Sequence, residues 1–511
     1  MIYRSVLLKT VLLFVGIAGC GWMISCRTEK PGMELKFKTL AVLPFEAVEN
    51  DPGTDYLGFA LTDQIILKLS YVHGVVVRSS DAVRNYAHAE FHLADVAREL
   101  DVEFILKGSF QNEGDRFRLN AKLIHVPSNE DLWNETFDIE YTELFTVQDS
   151  VSRGVIKGLQ LRLSAEERSR LTKDNAKNPV AYERYLRAMA AKPMHADDWM
   201  DRIRLLENSV EIDSAYTPAL ASLGYGYLQV AGKVGGRGGY YELAEKTLHR
   251  ALVMNRECPQ TLRFLGSLYA KIGKSEDSAA LLQEGLSVNP SIPDFYSGLG
   301  YVYRYAGLMD ESIKAYRRAQ VLDSSLRNLI STQGQITKSL IYKGAYEDAA
   351  TSHKNVKEYL NTLQQPTDIK QLFYEGVINF YSENLDRAIS LFDSASTMDE
   401  ANVWSLFGQA YKAAALGLDE RLVEILKYLE NRNIVDGERR YRLVHFYALA
   451  GMVEDALRNL KKSIEGGFFN YPYIRTDPLT ECVRRSEKFQ MLLAQARDRH
   501  EAFRRRFCGP V

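Results

Sequence analysis

Few side chains in this sequence stand where chemistry needs them. His88 and His92 in HAEFH offer two imidazoles to a transition metal. Glu90 sits midway between them, however, not directly after the first histidine as a helical zinc site with a general base requires, and no third ligand has matching spacing. The pair reads as part of a polar loop. The run GKVGGRGG from Gly232 to Gly239 has the glycines to cradle a phosphate, yet it lacks the Gly-Lys-Ser/Thr ending and follows no strand, so it reads as an insertion between helices. Cys258, Cys482 and Cys508 have no histidine partner of nucleophile type and read as small core or tail residues. Arg504, Arg505 and Arg506 read as a solvated basic tail, with contact to lipid head groups or acidic partners as the alternative. No catalytic, metal or cofactor constellation results, and the chain is expected not to be an enzyme.

The amino terminus carries an address. Arg4 and Lys9 precede an apolar run from Val11 to Ala18, the layout of a secretory signal. Ile17-Ala18-Gly19-Cys20 resembles the lipobox of bacterial lipoproteins, which implies lipidation of Cys20. Met23-Ile24-Ser25-Cys26 is a second match and makes Cys26 the alternative. An uncleaved single-pass anchor from Val11 to about Ile24 is the competing reading, short of the roughly 20 residues that span a bilayer. Each reading carries the rest of the chain across the inner membrane and places it in the cell envelope.

Behind residues 1–26 the composition is that of a globular protein: 511 residues in all, 66 acidic against 64 basic side chains and a net charge of -2. That balance argues against a nucleic-acid partner, and no small-molecule substrate is evident. Five sparse cysteines make a disulfide framework improbable. From Thr39 the pattern alternates. TLAVLPF predicts a buried strand, Leu57, Leu61, Ile65 and Leu69 a helix, Val75 to Arg78 a second strand, and Leu93, Val96, Ala97 and Leu100 a second helix. FILKGSF then leads through a turn into Phe117, Leu119, Ala121 and Leu123, alternating with polar residues as in a half-solvated antiparallel strand. Leu132 to Phe137 returns, and Leu144, Val147, Val151, Val155 and Leu159 close with a helix. The succession TLAVLPFE, Tyr56-Leu57-Gly58, VARELDVEFILKGSF, RFRLNAKLIHVPSNEDLWNETFD and ELFTVQDSVSRGV resembles the TolB amino-terminal-like domain, related to CsgG and FlgO-like envelope domains, over residues 37–165. The resemblance implies an envelope-associated α+β module, a mixed sheet with flanking helices, without a known catalytic centre.

The second half repeats. Gly266 and Gly300 lie 34 residues apart, as do Ser278 and Ser312, the tetratricopeptide period. Leu262, Leu265, Gly266 and Tyr269 with Ser278, Leu282 and Gly285 fit the family pattern, and Tyr296, Leu299, Gly300 and Tyr303 with Ser312, Tyr316 and Ala319 fit it again. An upstream copy at Leu220–Ala251 carries eight extra residues between its helices, and weaker copies follow to Leu460. Residues 178–466 are therefore expected to form an all-α solenoid, and 467–511 a capping segment with a basic tail. What the resemblance implies for function is a concave groove lined by first helices. It is expected at Tyr225, Gln229, Arg263, Ser267, Lys271, Ser297, Tyr301, Arg304 and Tyr305, and more weakly at Gln409 and Lys412, a set suited to carboxylates and apolar side chains of a partner protein. The function expected is a protein-binding scaffold of the envelope. A regulatory component serving a separate kinase, cyclase or transcription factor, and a structural part of a secretion or flagellar assembly, are the alternatives.

Overall fold

The computed structural model describes residues 37–509 apart from 50–53, 88–89, 115, 235–236 and 433. Cys20, Cys26 and His88 lie outside the described residues. Strand β1 (Lys38–Val42) pairs in parallel with β3 (Val75–Val77) on one side and β4 (Phe104–Glu113) on the other; β2 (Glu46–Ala47) runs parallel to β4 beyond the end of β1. β4, β5 (Arg116–His125) and β6 (Glu130–Glu140) form an antiparallel meander, which gives the order β3-β1-β4-β5-β6. Side chains alternate between two faces. Leu40, Val42 and Leu106 enter a core with helices α1 (Tyr56–Leu69) and α4 (Leu144–Gly158), whereas Ala41, Leu43 and Ile105 pack with Val83 and with Val96 and Leu100 of α3 (Leu93–Leu100); α2 (Ser80–Val83) is a single turn. β6 is longer than its apolar residues suggest. It is an edge strand rich in Asp and Glu and exposed at most positions, so it carries no alternating signal to read.

A linker helix α5 (Ala165–Lys173), capped by a reciprocal Ser164–Glu167 box, leads into eight helical hairpins between Pro179 and Glu465. They pair α6 (Pro179–Ala190) with α7 (Ala196–Ile212), α8 (Thr217–Lys233) with α9 (Tyr240–Met254), α10 (Pro259–Lys271) with α11 (Ser275–Val288), and α12 (Pro293–Tyr305) with α13 (Met309–Leu322). The second four pair α14 (Leu326–Lys343) with α15 (Tyr346–Thr362), α16 (Ile369–Tyr381) with α17 (Leu385–Met398), α18 (Val403–Leu416) with α19 (Asp419–Glu430), and α20 (Gly437–Leu449) with α21 (Val453–Glu465). The 34-residue period is visible as one hydrogen bond made twice: Ser278 Oγ donates to the Gly266 carbonyl at 2.7 Å, and Ser312 Oγ to the Gly300 carbonyl at 2.6 Å. A Cβ on Gly300 would stand 2.8 Å from the Tyr316 ring, so the paired helices approach closely only because that position has no side chain. The expected insertion lies between α8 and α9 and ends in a 3-10 turn at Arg237–Gly239.

The same period docks the first domain. Asn255, Asn289 and Asp323 end three successive hairpins, 34 residues apart, and each caps its own turn by accepting the N–H two residues on. Their free atoms reach successive points of one segment. Asn255 donates to the Tyr71 hydroxyl at 3.3 Å, Asn289 to the carbonyls of Ser70 and Val72 at 2.7 and 3.3 Å, and Asp323 meets Arg78 at 3.4 Å. Arg78 is fully buried and also donates to the carbonyls of Leu100 at 2.6 Å and Leu322 at 3.1 Å.

At the other end the chain turns back. Beyond Glu465, short helices α22 (Tyr471–Thr476) and α23 (Glu481–Arg484) precede the long α24 (Glu487–Phe507). The Phe469 N–H donates to the Tyr305 carbonyl at 3.0 Å, and Arg499 donates to Glu276 at 2.7 and 2.8 Å and to the Gly273 carbonyl at 2.8 Å. Tyr303 meets Phe503 edge to face. A segment expected to cap the last repeat therefore also closes the solenoid onto its third and fourth hairpins.

Candidate functional site

The concave face divides into an open part and a closed part. In the open part a cleft of about 540 Å³ lies between the first domain and hairpins three to five, lined by Asp63, Ser80 and Asp81 on one wall and by Gln260, Arg263, Asp294 and Ser297 on the other. The short turn α2 brings Ser80 to the floor, where its hydroxyl hydrogen-bonds Asp63. Burial pushes the Asp63 carboxyl up, opposed by Ser80 and by Arg202 and Arg84. Arg263 is part-exposed, pairs with Asp294 at 3.1 Å and lies 4.6 Å over the Phe264 ring, which stacks in turn on Tyr225 at 4.2 Å. The rim thus combines a rigid aromatic pair with an accessible guanidinium, and both acceptors and donors face the cleft.

Of the expected groove residues, Arg263 and Ser297 line this cleft, with Tyr225 beside it; Gln229 and Ser267 are half-buried and Lys271 is exposed on the same run of first helices. Gln409 and Lys412 lie elsewhere, on α18, where Gln409 accepts from Arg421 at 3.3 Å and Lys412 pairs with Asp393 at 2.6 Å. Three residues need correction. Arg304 and Tyr305 are not on a surface that a partner can reach: they are 0% and 1% exposed. Tyr301, half-buried, is engaged with them. The reason is the closure of the solenoid, which lays the start of α20 across the end of α12. Arg304 grips Glu438 with a two-pronged fork at 3.2 and 3.1 Å and donates to Gln335 at 2.8 Å, while the hydroxyls of Tyr301 and Tyr305 donate to Asp436 at 3.1 and 2.8 Å. The chain itself occupies the carboxylate-binding positions that the repeat pattern assigned to a partner.

Asp63 and Ser80 drew no attention in the sequence, because a lone aspartate inside an amphipathic helix has no spacing signature. Glu438 was missed for a related reason: it lies in the eighth hairpin, where the repeat pattern is degenerate. A polar residue at a position that helical periodicity buries was the available signal. Among the described residues no group of three or more His, Cys, Asp and Glu side chains could hold a metal ion, and no helix is long and apolar enough to cross a membrane.

Comparison with known proteins matches the first domain and the repeats to different families. Residues 36–153 match the model of the HilA/YgeH-like transcriptional regulator, second domain, and residues 293–325, the fourth hairpin, match the tetratricopeptide repeat. The first-domain match is thus to a domain of a transcriptional regulator. A protein of Rhizobium meliloti (strain 1021) named for adenylate cyclase is 33% identical over 186 residues, 36% of this chain. The aligned part spans about a third of that curated relative, 32% of its length. Among solved structures, MamA aligns over 33% of this chain and 92% of its own at 23% identity with a TM-score of 0.28. PilF of Pseudomonas aeruginosa aligns over 42% and 90% at 16% identity with a TM-score of 0.33, and a tetratricopeptide repeat protein from Parabacteroides merdae ATCC 43184 over 51% and 93% at 14% with 0.35.

Proposed function

We propose that this chain is a non-enzymatic scaffold that binds a partner protein in the cleft between its amino-terminal domain and its repeats, and that it does so in the bacterial cell envelope. The observation that carries the reading is the cleft itself, walled by two separate parts of the chain, with Arg263 and the Tyr225–Phe264 pair at its rim. Rigid aromatics supply contact area at little entropic cost, and a guanidinium orients a carboxylate. Envelope placement, by lipid on Cys20 or Cys26 or by an uncleaved anchor, draws its support from the first 26 residues, and the TolB-like likeness of residues 37–165 supports it too.

The test is Ser297→Arg combined with Arg263→Glu, which blocks the cleft and inverts its charge at two half-buried positions. Loss of the proteins that co-purify with the wild type, at unchanged helical circular dichroism, is the expected result; retention of the same proteins moves the site elsewhere. Two findings favour a second reading, that the partner is a signalling protein: the first domain matches a domain of a transcriptional regulator, and part of the chain is similar to a protein named for adenylate cyclase. Identification of a kinase, cyclase or DNA-binding protein among the cleft-dependent partners decides between that reading and a structural role.

A further inference from the structure

The cleft between the first domain and the repeats has a floor as well as a rim, and its floor is rich in uncommitted hydroxyl and amide groups. A volume of about 540 Å³ is room for a small molecule. The solenoid wall repeats with the 34-residue period. Gln260, Asp294 and Asn328 stand at one position of three successive first helices, and Arg263, Ser297 and Ser331 stand at another, about one turn further on. Ser79, Ser80 and Asp81 line the opposite wall. Several of these groups lack a partner. Gln260 donates to Ser222 Oγ at 3.4 Å through its amide nitrogen, while its Oε1 is buried and accepts nothing. The hydroxyls of Ser79, Ser297 and Ser331 make no hydrogen bond among the described residues. A buried acceptor without a donor is costly, and Gln260 lines the cleft, so a ligand can supply the donor from there.

Charge in the lining is nearly balanced. Asp294 pairs with Arg263 at 3.1 Å and Asp323 with Arg78 at 3.4 Å, and Asp81 and Arg327 are one of each sign. Burial pushes the Asp63 carboxyl up, towards the protonated form that donates as well as accepts. Among the described residues that line the cleft there is no lysine and no histidine.

We propose that the floor of the cleft binds a neutral, polyhydroxylated small molecule, a small sugar, between Ser79, Ser80 and Asp81 on one side and Gln260, Ser297 and Ser331 on the other. Each hydroxyl of such a ligand both donates and accepts, so it can serve an amide oxygen, serines and a carboxylate at once, which a ligand of a single charge cannot. Leu67, Val77 and Ile292 also line the cleft and offer apolar surface to the C–H faces of a ring. Because the ligand touches both walls, it ties α1 and α2 to hairpins three to five. The inference goes beyond the partner reading and does not depend on it: a protein engages the rim at Arg263 and the Tyr225–Phe264 pair, and the sugar engages the floor.

The experiment is isothermal titration calorimetry of the full chain with glucose, N-acetylglucosamine, maltose and trehalose. Saturable heat is expected with at least one of them, unchanged by added salt because the ligand carries no charge, and hydrogen exchange in its presence should slow in residues 79–82 and 289–297 together. Gln260→Leu and Asp81→Ala should each weaken that binding about tenfold or more, and Arg98→Ala, at an exposed cation of the first domain, should leave it unchanged. Asp81 is exposed, so its variant carries the test if Gln260→Leu fails to fold. Three results overturn the proposal: no saturable heat with any of these sugars, binding indifferent to both floor variants, or binding that weakens steeply with salt, which would assign a charged ligand.

Discussion

Two arginine–carboxylate pairs on neighbouring first helices of the solenoid have opposite surroundings. Arg263–Asp294 stands at the open cleft with side chains 37% and 46% exposed; Arg304–Glu438 lies under the closing helix with 0% and 8%. The distances are the same, 3.1 Å, yet the physics differs. Water and salt screen the first pair, whose contribution to stability is about 0–1 kcal/mol, and its guanidinium remains free to exchange partners. The second pair sits where an unpaired charge cannot be tolerated, so it binds the eighth hairpin to the fourth and is unavailable to any ligand. One half of the groove recognises others, and the other half recognises the chain's own carboxyl-terminal part.

Breaking the buried pair is the largest expected effect. Glu438→Gln should lower stability by about 3–5 kcal/mol in urea unfolding, because Arg304 is left charged in an apolar setting, and Arg304→Met with Glu438→Leu should recover much of that loss. Next comes acid. Burial pushes the Glu438 carboxyl up, but Arg304, with Lys338 and Arg442, pulls it down to about 2. A carboxylate depressed on folding contributes stability that is complete above its unfolded value of 4.5 and is lost as pH falls towards 2. His353, 3% exposed, is pushed by burial to about 4 against the pull of Glu375. The unfolded chain binds its proton first, so stability also falls as pH drops from 6.5 towards 4. Unfolding free energy followed by urea denaturation from pH 6.5 down to 2 should decline in both windows, by on the order of a few kcal/mol in all, and His353→Leu should flatten the upper window alone.

The seam itself gives a smaller effect. Gly273 has φ +85°, and a Cβ there would stand 2.6 Å from the Glu465 carbonyl. Gly273→Val should cost about 2 kcal/mol and raise hydrogen exchange in residues 466–507 while leaving the first domain protected. Smallest is Arg263→Ala, expected to change stability by less than about 1 kcal/mol. A large loss in that variant would mean that the two pairs are alike and would remove the contrast between open and closed faces.

The repeats were legible because each hairpin buries the same positions, so Gly266 and Gly300, Ser278 and Ser312 recur at the spacing their shared hydrogen bond needs. In the first domain, strands with one buried face were legible by alternation, whereas of β6, charged and exposed, only the Leu132–Phe137 part was. At the site the outcome was mixed for a physical reason. Local helix geometry placed Arg263 and Ser297 on a concave face, and the same geometry placed Arg304 and Tyr305 there; what separates them is contact with Asp436 and Glu438, more than 130 residues away along the chain. Such contacts leave no period in a sequence.

By itself the sequence determined the alternation of strands and helices, the hairpins of the solenoid and which helix faces are apolar, since these follow from φ/ψ preference and from burial within a few turns. Only the tertiary structure decided that the solenoid closes on itself, that Asn255, Asn289 and Asp323 clamp the first domain, and that the first domain and three hairpins wall one cleft. Those outcomes depend on curvature accumulated over many hairpins. Each local step is small, and its sum is set by packing across the whole array.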